Sequence, residues 1–143
     1  LANKQHQISI LIPDDFPHLI TDRQKLELIL VNLCHNAIKF TPPGGQITFT
    51  AEANGTQATL SLHNSGSVIP RDEHDRIFER FYQIADSLTR DHGGAGLGLS
   101  IVRGMLEVCQ GKIWVDSSDE AGTTFTFTLP LNNSGMEGGR LTL

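Results

Sequence analysis

The stretch Gly94-Ala95-Gly96-Leu97-Gly98-Leu99 sets three glycines at alternate positions and runs straight into the apolar helical pattern of Ser100, Ile101 and Val102. A chain with this feature presents a loop of bare backbone amides ahead of a helix N-terminus. Such a helix end carries roughly half a positive charge and unpaired N–H donors, and glycine leaves no Cβ to hold an anion away from them. The stretch is therefore either an anion cradle or a hinge before a packed helix. Two familiar phosphate motifs are excluded by its spelling. No Gly-Lys-Ser/Thr follows, as a P-loop requires, and the third glycine stands one residue too early for a dinucleotide fingerprint. The approach, Gln83 to His92, is polar loop where a Rossmann unit needs a strand.

Charge decides how an anion would be handled. Sixteen acidic against eleven basic residues leave a net charge of −5, with no Lys/Arg block. A nucleic-acid or anionic-membrane surface is excluded on this ground, so any phosphate must be bound locally. The 143 residues give one domain with room for a real core, here residues 1–131, followed by a Gly/Ser/Asn-rich tail over 132–143 that is expected to be flexible. No stretch is long or apolar enough to span a bilayer, and no signal peptide is present. The chain opens on Leu1 rather than Met and reads as an excised fragment. Cys34 and Cys109 both fall in apolar helical patterns, which predicts small buried residues in a reducing compartment rather than a disulfide.

Periodicity supplies the elements. Gln7 to Ile12 alternates, with Ile8, Ile10 and Ile12 on one side, and predicts a first strand. From Asp22 to Phe40 the residues Leu26, Ile29, Leu30, Leu33, Ala37 and Phe40 fall within roughly 100° on a helical wheel. This is a long amphipathic helix, capped by Thr21 or Asp22 and ended by Thr41-Pro42-Pro43-Gly44-Gly45. Gln46 to Ala53 and the run through Ala58, Leu60 and Leu62 form a hairpin about Asn54-Gly55. Lys112 to Asp116 and Thr123 to Leu129 make a second strand pair, Gly96 to Gln110 a second long helix stopped by Gly111, and Arg71 to Phe78 a shorter helix.

On the first long helix, Asn32, Asn36 and Lys39 share a second arc, roughly 60° wide and about 110° from the centre of the apolar stripe. Asparagine is an indifferent helix former, so the pair marks either a functional edge or a face open to water. A carboxamide oxygen is a hard neutral ligand suited to Mg²⁺, and a neighbouring lysine suits the phosphates that Mg²⁺ bridges.

The order of these parts resembles the catalytic and ATP-binding (HATPase) domain of a bacterial-type sensor histidine kinase. That family lies in the GHKL ATPase superfamily, with the type II topoisomerase, Hsp90 and MutL ATPases. Asn32-Leu33-Cys34-His35-Asn36-Ala37-Ile38-Lys39-Phe40-Thr41 is similar to its N box. Asn64-Ser65-Gly66-Ser67-Val68-Ile69-Pro70 stands where its first glycine box belongs, and Ile77-Phe78-Glu79-Arg80-Phe81 matches its F box. Gly94 to Leu99 matches its second glycine box, and Gly122-Thr123-Thr124-Phe125 its closing strand. The resemblance implies an α+β fold, the two-layer α/β sandwich known as the Bergerat ATP-binding fold, in which three helices cover one face of a mixed, mostly antiparallel sheet. The layers read from periodicity are the same.

The resemblance further implies ATP and Mg²⁺ as cofactors, with Asn36 as the metal ligand. Asn36, Lys39 and Arg80 would carry the catalytic work, Asn32 and Lys39 lying on the phosphate side and Arg80 reaching a phosphate, the partner domain or neither. Gly94, Gly96, Leu97, Gly98 and Leu99 would cradle the triphosphate. Asn64, Gly66, Val68, Ile69 and Phe81 would stand around the base, and Thr123 would help hold the adenine, a structural Thr–Thr pair being the alternative. Gln83 to Gly93 would be a mobile lid. The implied activity is phosphoryl donation from Mg-ATP to a histidine in two-component signal transduction. Partners implied are a histidine-containing dimerisation domain of the same parent and a downstream response regulator, with no nucleic acid, no direct membrane contact by this domain, and a cytoplasmic location. None of the six histidines has the family's acceptor surroundings of His-Glu, a basic residue and proline.

One departure stands out. The family has Asp-x-Gly-x-Gly where this chain has Asn64-Ser65-Gly66-Ser67-Val68. The aspartate normally accepts from the adenine amino group; Asn64 can accept through its carbonyl oxygen without charge assistance, which about halves the bond. Adenine specificity with weaker binding is expected, and Val68 adds bulk near the base. Alternatives are a degenerate nucleotide-binding regulatory module without kinase activity, or a protein-serine kinase of the anti-sigma type. The F box and long lid favour the histidine-kinase branch.

Overall fold

Branched and aromatic residues at every second position cover one side of a pleated strand. Five such segments pair into one sheet in the computed structural model of the protein, which describes residues 5–66, 68–80, 98–131 and 140–141. The strands are β1 (Gln7–Leu11), β3 (Gln46–Ala53), β4 (Gln57–Asn64), β5 (Lys112–Ser118) and β6 (Gly122–Pro130), in the order β1-β3-β4-β6-β5. β1 runs parallel to β3 and every other pairing is antiparallel, so the sheet is mixed as expected. A separate two-residue pair joins β2 (Thr21–Asp22) to β7 (Arg140–Leu141).

The register stacks inward residues into rows across the strands. Ile113, Phe127, Leu60 and Ala51 form one row, and Val115, Phe125, Leu62 and Phe49 the next. Against them pack α1 (Arg23–Phe40), through Leu26, Ile29, Leu33 and Ala37, and α2 (Gly98–Val108), through Val102 and Leu106. Burying one such aliphatic or aromatic side chain is worth about 1.5–3 kcal/mol, so these rows supply most of the stabilising free energy.

Helix ends are settled locally. Asp22 caps α1, its carboxylate accepting from Lys25 N at 3.1 Å. At the other end Thr41 N donates to Ala37 O at 3.0 Å before Pro42 stops the helix. α2 ends in a Schellman arrangement, with Gly111 N donating to Leu106 O at 2.7 Å and Gln110 N to Glu107 O at 3.1 Å. Its left-handed residue is Gln110, with φ 64°, rather than the expected Gly111. Gly111 is small for a different reason: a Cβ there would collide with the Thr128 carbonyl of β6.

Two further expectations are corrected, and the covering of β1, which alternation leaves open, is settled. Arg71 to Phe78 is two short 3₁₀ turns, Arg71–Glu73 and Arg76–Phe78, and not one helix. Its first six residues carry no apolar stripe, and so short a segment cannot repay helix nucleation. Only Ile77 and Phe78 anchor it, Phe78 meeting Phe125 edge-on at 6.2 Å between ring centroids. Cys34 is exposed, because one step past Leu33 turns it about 100° away from the core; Cys109 is buried, and both thiols are free. The isoleucines of β1 also stay in water. Ile8 and Ile10, paired with Ile47 and Phe49, are 64% and 66% exposed because they lie at the sheet edge. Among the described residues no helix is long and apolar enough to cross a membrane.

Candidate nucleotide site

Two residues beyond the Val115 row, the same strand faces turn polar. Ser117, Thr123 and Asn64 stand side by side on β5, β6 and β4, with Ile47 of β3 closing the row. Thr123 and Asn64 are buried, 2% and 4% exposed. Ser117 Oγ accepts from Ile69 N at 2.8 Å and shares a hydrogen bond with Thr123 Oγ1 at 2.7 Å. Ile69 itself packs against the core, which brings the chain after β4 back over the strand ends. Asn64 Nδ2 is buried and has no hydrogen-bond partner among the described residues. An orphaned amide of this kind costs about 1–3 kcal/mol, so it marks a place where a polar partner fits.

A second group lies on α1. Asn32 Nδ2 donates to Leu28 O at 2.7 Å, one turn back. Its Oδ1 consequently points out of the helix and stands 3.2 Å from where a Cβ on Gly98 would sit. Asn36 and Lys39 follow on the same edge, and all three are half-buried. The helix edge and the polar row are tied together at one end. Gly66, two residues beyond Asn64, has φ +85° and lies so close to Pro42 that a Cβ would come within 2.8 Å of its ring. Ser65 Oγ accepts from Gln46 N at 2.9 Å, fixing the same loop to the start of β3. The last turn of α1, carrying Lys39, is thereby held beside the end of β4 that carries Asn64.

The other expected residues scatter around these two groups. Gly98 and Leu99 open α2, with Leu99 against the core. Val68 is 43% exposed, so its side chain projects to solvent while Ile69 turns inward. Arg80 is exposed just past the second 3₁₀ turn. Arg103 of α2 places its guanidinium 5.9 Å from the Phe78 ring centroid, a cation–π contact that steadies this corner. Phe81, Gly94, Gly96, Leu97 and the segment Gln83 to Gly93 lie outside the described residues.

Ser117 was missed in the sequence. The signal was the alternation Ile113, Val115, Ser117, but Ser117-Ser118-Asp119-Glu120 reads as a turn and hides the last two strand residues. Among the described residues no three His, Cys, Asp or Glu side chains stand close enough to hold a metal. A cation here would rest on an amide oxygen such as that of Asn36 together with ligand phosphates, a donor set that suits Mg²⁺. Partial desolvation pushes the Cys34 thiol above its usual range, so it is no activated nucleophile.

Comparison with known proteins agrees with this geometry. Residues 21–133 match the family model described as histidine kinase-, DNA gyrase B-, and HSP90-like ATPase. The sensor histidine kinase WalK of Bacillus subtilis is 39% identical over 121 residues, covering 83% of this chain but only 20% of WalK. The nucleotide-free catalytic domain of histidine kinase ThkA superposes with a TM-score of 0.79 at 30% identity, over 91% of this chain and 83% of that one. ThkA has also been solved in complex with response regulator protein TrrA, with a TM-score of 0.74 at 30% identity over 90% of this chain and 35% of that one. Full-length ShkA in complex with AMPPNP superposes at 0.76 and 29% identity, over 98% of this chain and 27% of that one. This chain thus spans a fifth of WalK and most of the ThkA catalytic domain. By its matched span, its sheet order and the place of its polar row, the chain belongs to the histidine kinase-, DNA gyrase B- and HSP90-like ATPase family.

Proposed function

We propose that this chain is the nucleotide-binding catalytic unit of a sensor histidine kinase. It holds Mg-ATP and presents the γ-phosphoryl group to a histidine on a separate dimerisation domain, from which a response regulator is served. The observation that carries this reading is the polar end of an otherwise apolar sheet face, with the orphaned Asn64 amide set beside the Asn32–Lys39 edge of α1. Support comes from the AMPPNP bound in ShkA and from the TrrA complex of ThkA.

Each residue then has a task. Asn64 and Thr123 meet the base, with Ser117 orienting Thr123 and Ile69 covering the ring. Gly66 lets the loop pass close enough to do so. Asn32 and Lys39 face the phosphates, and the glycine-rich run from Gly94 to Leu99 would offer them its backbone amides ahead of α2. Asn36 would hold Mg²⁺, which supplies charge neutralisation on the transferring phosphoryl group. Lys39 adds a fixed positive charge and Arg80 a second one near the acceptor. Little covalent chemistry falls to this domain, since phosphoryl transfer is catalysed chiefly by positioning and electrostatics. The acceptor histidine comes from outside, so the unit over residues 1–131 works in the parent's cytoplasmic part with residues 132–143 as its tail.

Calorimetric titration with Mg-ATP tests the reading. The wild type should bind saturably, and Asn36→Ala should lose the Mg-dependent part of that affinity with its melting temperature nearly unchanged, because Asn36 lies off the apolar stripe. Unchanged affinity in a folded Asn36→Ala protein would remove the metal-ligand assignment.

A further inference from the structure

Resting on the reading of the polar row as a base pocket, we propose that this site also takes 6-oxopurine nucleoside triphosphates, and that Asn64 is the residue that admits both base classes. The starting observation is chemical. An aspartate at the end of β4 would offer only acceptors, whereas Asn64 offers a buried donor, Nδ2, that no described residue engages. The 6-position edge of adenine presents an amino donor beside the N1 acceptor. The same edge of hypoxanthine or guanine presents the reverse, a carbonyl acceptor beside an N1–H donor.

An amide matches either edge. With its oxygen toward the 6-position it accepts from the adenine amino group and its NH₂ donates to N1. After a half-turn about the terminal side-chain torsion, the NH₂ donates to O6 and the oxygen accepts from N1–H. Nothing described in the pocket selects between the two. Asn64 Nδ2 has no bond to a described residue to break, and the hydrogen bonds described beside it, Ile69 N to Ser117 and Ser117 to Thr123, do not involve Asn64. A carboxylate aimed at the 6-position would set its negative charge against the O6 electron pairs, and would disfavour the oxo bases. Its replacement by an amide removes that rejection, which is how one polar group switches specificity.

Inosine triphosphate is the probe, because it differs from ATP only along this edge. Calorimetry with Mg-ATP and Mg-ITP on the wild-type chain should give dissociation constants within about tenfold of each other. In Asn64→Asp the ratio should widen by about tenfold or more in favour of ATP, through tighter ATP and weaker ITP. Wild-type protein that binds Mg-ATP while Mg-ITP is weaker by much more than tenfold overturns the proposal, whatever the variant does. So does a folded Asn64→Asp variant with an unchanged ratio. A wild type that binds neither nucleotide instead removes the ATP-binding reading itself, and is told apart by its failure with ATP.

Discussion

The helix-facing side of the sheet has two ends built on the same strands, and they differ in everything except their backbone. At one end the Ile113–Phe127–Leu60–Ala51 and Val115–Phe125–Leu62–Phe49 rows are hydrocarbon packed under α1 and α2. One pleat further, Ser117, Thr123 and Asn64 occupy the equivalent inward positions. Pleating makes inward positions recur every second residue, so a single further step carries each strand from core to site. The apolar rows stabilise, while the polar row draws on that stability by keeping buried an amide nitrogen that no described residue bonds. On the proposed reading, ligand selection is confined to one row, where substitutions should change recognition more than they change the fold.

The widest gap between the two ends should show at Phe127, which is 1% exposed and central to its row. Phe127→Ala leaves a cavity and should cost about 3–5 kcal/mol. For a domain of this size that corresponds to a melting point lower by roughly 6–20 °C. Nucleotide affinity, measured at a temperature where the variant is still folded, should change little. A large loss of affinity with intact stability would break the comparison, because it would place the site in the apolar rows.

Much of this division is legible in the sequence, for reasons that also show where reading stops. Asn64 and Thr123 continue an inward alternation that Leu62 and Phe125 establish, so their places on the face follow from period two alone. The Asn32–Asn36–Lys39 edge follows from the helical period in the same way. Ser117 escaped because turn-forming residues cluster around it, and whether they extend a strand depends on a partner, here Thr123, that is distant in sequence. The exposure of Ile8 and Ile10 escaped because alternation states which way a side chain points and not whether a helix lies there to cover it. Arg71 to Phe78 looked helical by composition, yet its two buried residues come only at the end, where they anchor turns and cannot build a helical face.

At the polar end the comparison is sharpened by removing the amide altogether. Asn64→Leu keeps a side chain that branches at Cγ and replaces with hydrocarbon a buried amide nitrogen that no described residue engages. Stability should rise by about 1 kcal/mol, within the 1–3 kcal/mol that the orphaned amide costs. Affinity for ATP should fall at the same time, giving a more stable protein that is a poorer binder. Thermal melting and calorimetry on one preparation read both quantities. A lower melting point would mean that Asn64 contributes to the fold as the apolar rows do, and the two ends would then not differ in kind.

The smallest effect belongs to Asp22, which caps the helix shared by both ends and so should move stability without touching recognition. Hydrogen bonding to the Lys25 ammonium, at 3.0 Å, and then to the Lys25 backbone N–H holds its carboxyl below the usual range. A group whose folded pKa is depressed contributes stability that is present above the unfolded value, near 3.8, and lost as pH falls through the folded value. Asn is as good a cap as Asp but carries no charge, so Asp22→Asn removes the ionic part and keeps the capping bond. At neutral pH the wild type should melt slightly higher than Asp22→Asn, by little because the pair lies at the surface, with about a third of each side chain in solvent. The difference should shrink below pH 4 and vanish once the carboxyl is protonated in the folded state. The ATP-to-ITP ratio should be the same in both proteins at neutral pH. A ratio that shifts with Asp22→Asn would mean that the start of α1 communicates with the polar row, and that recognition is not confined to one end of the sheet.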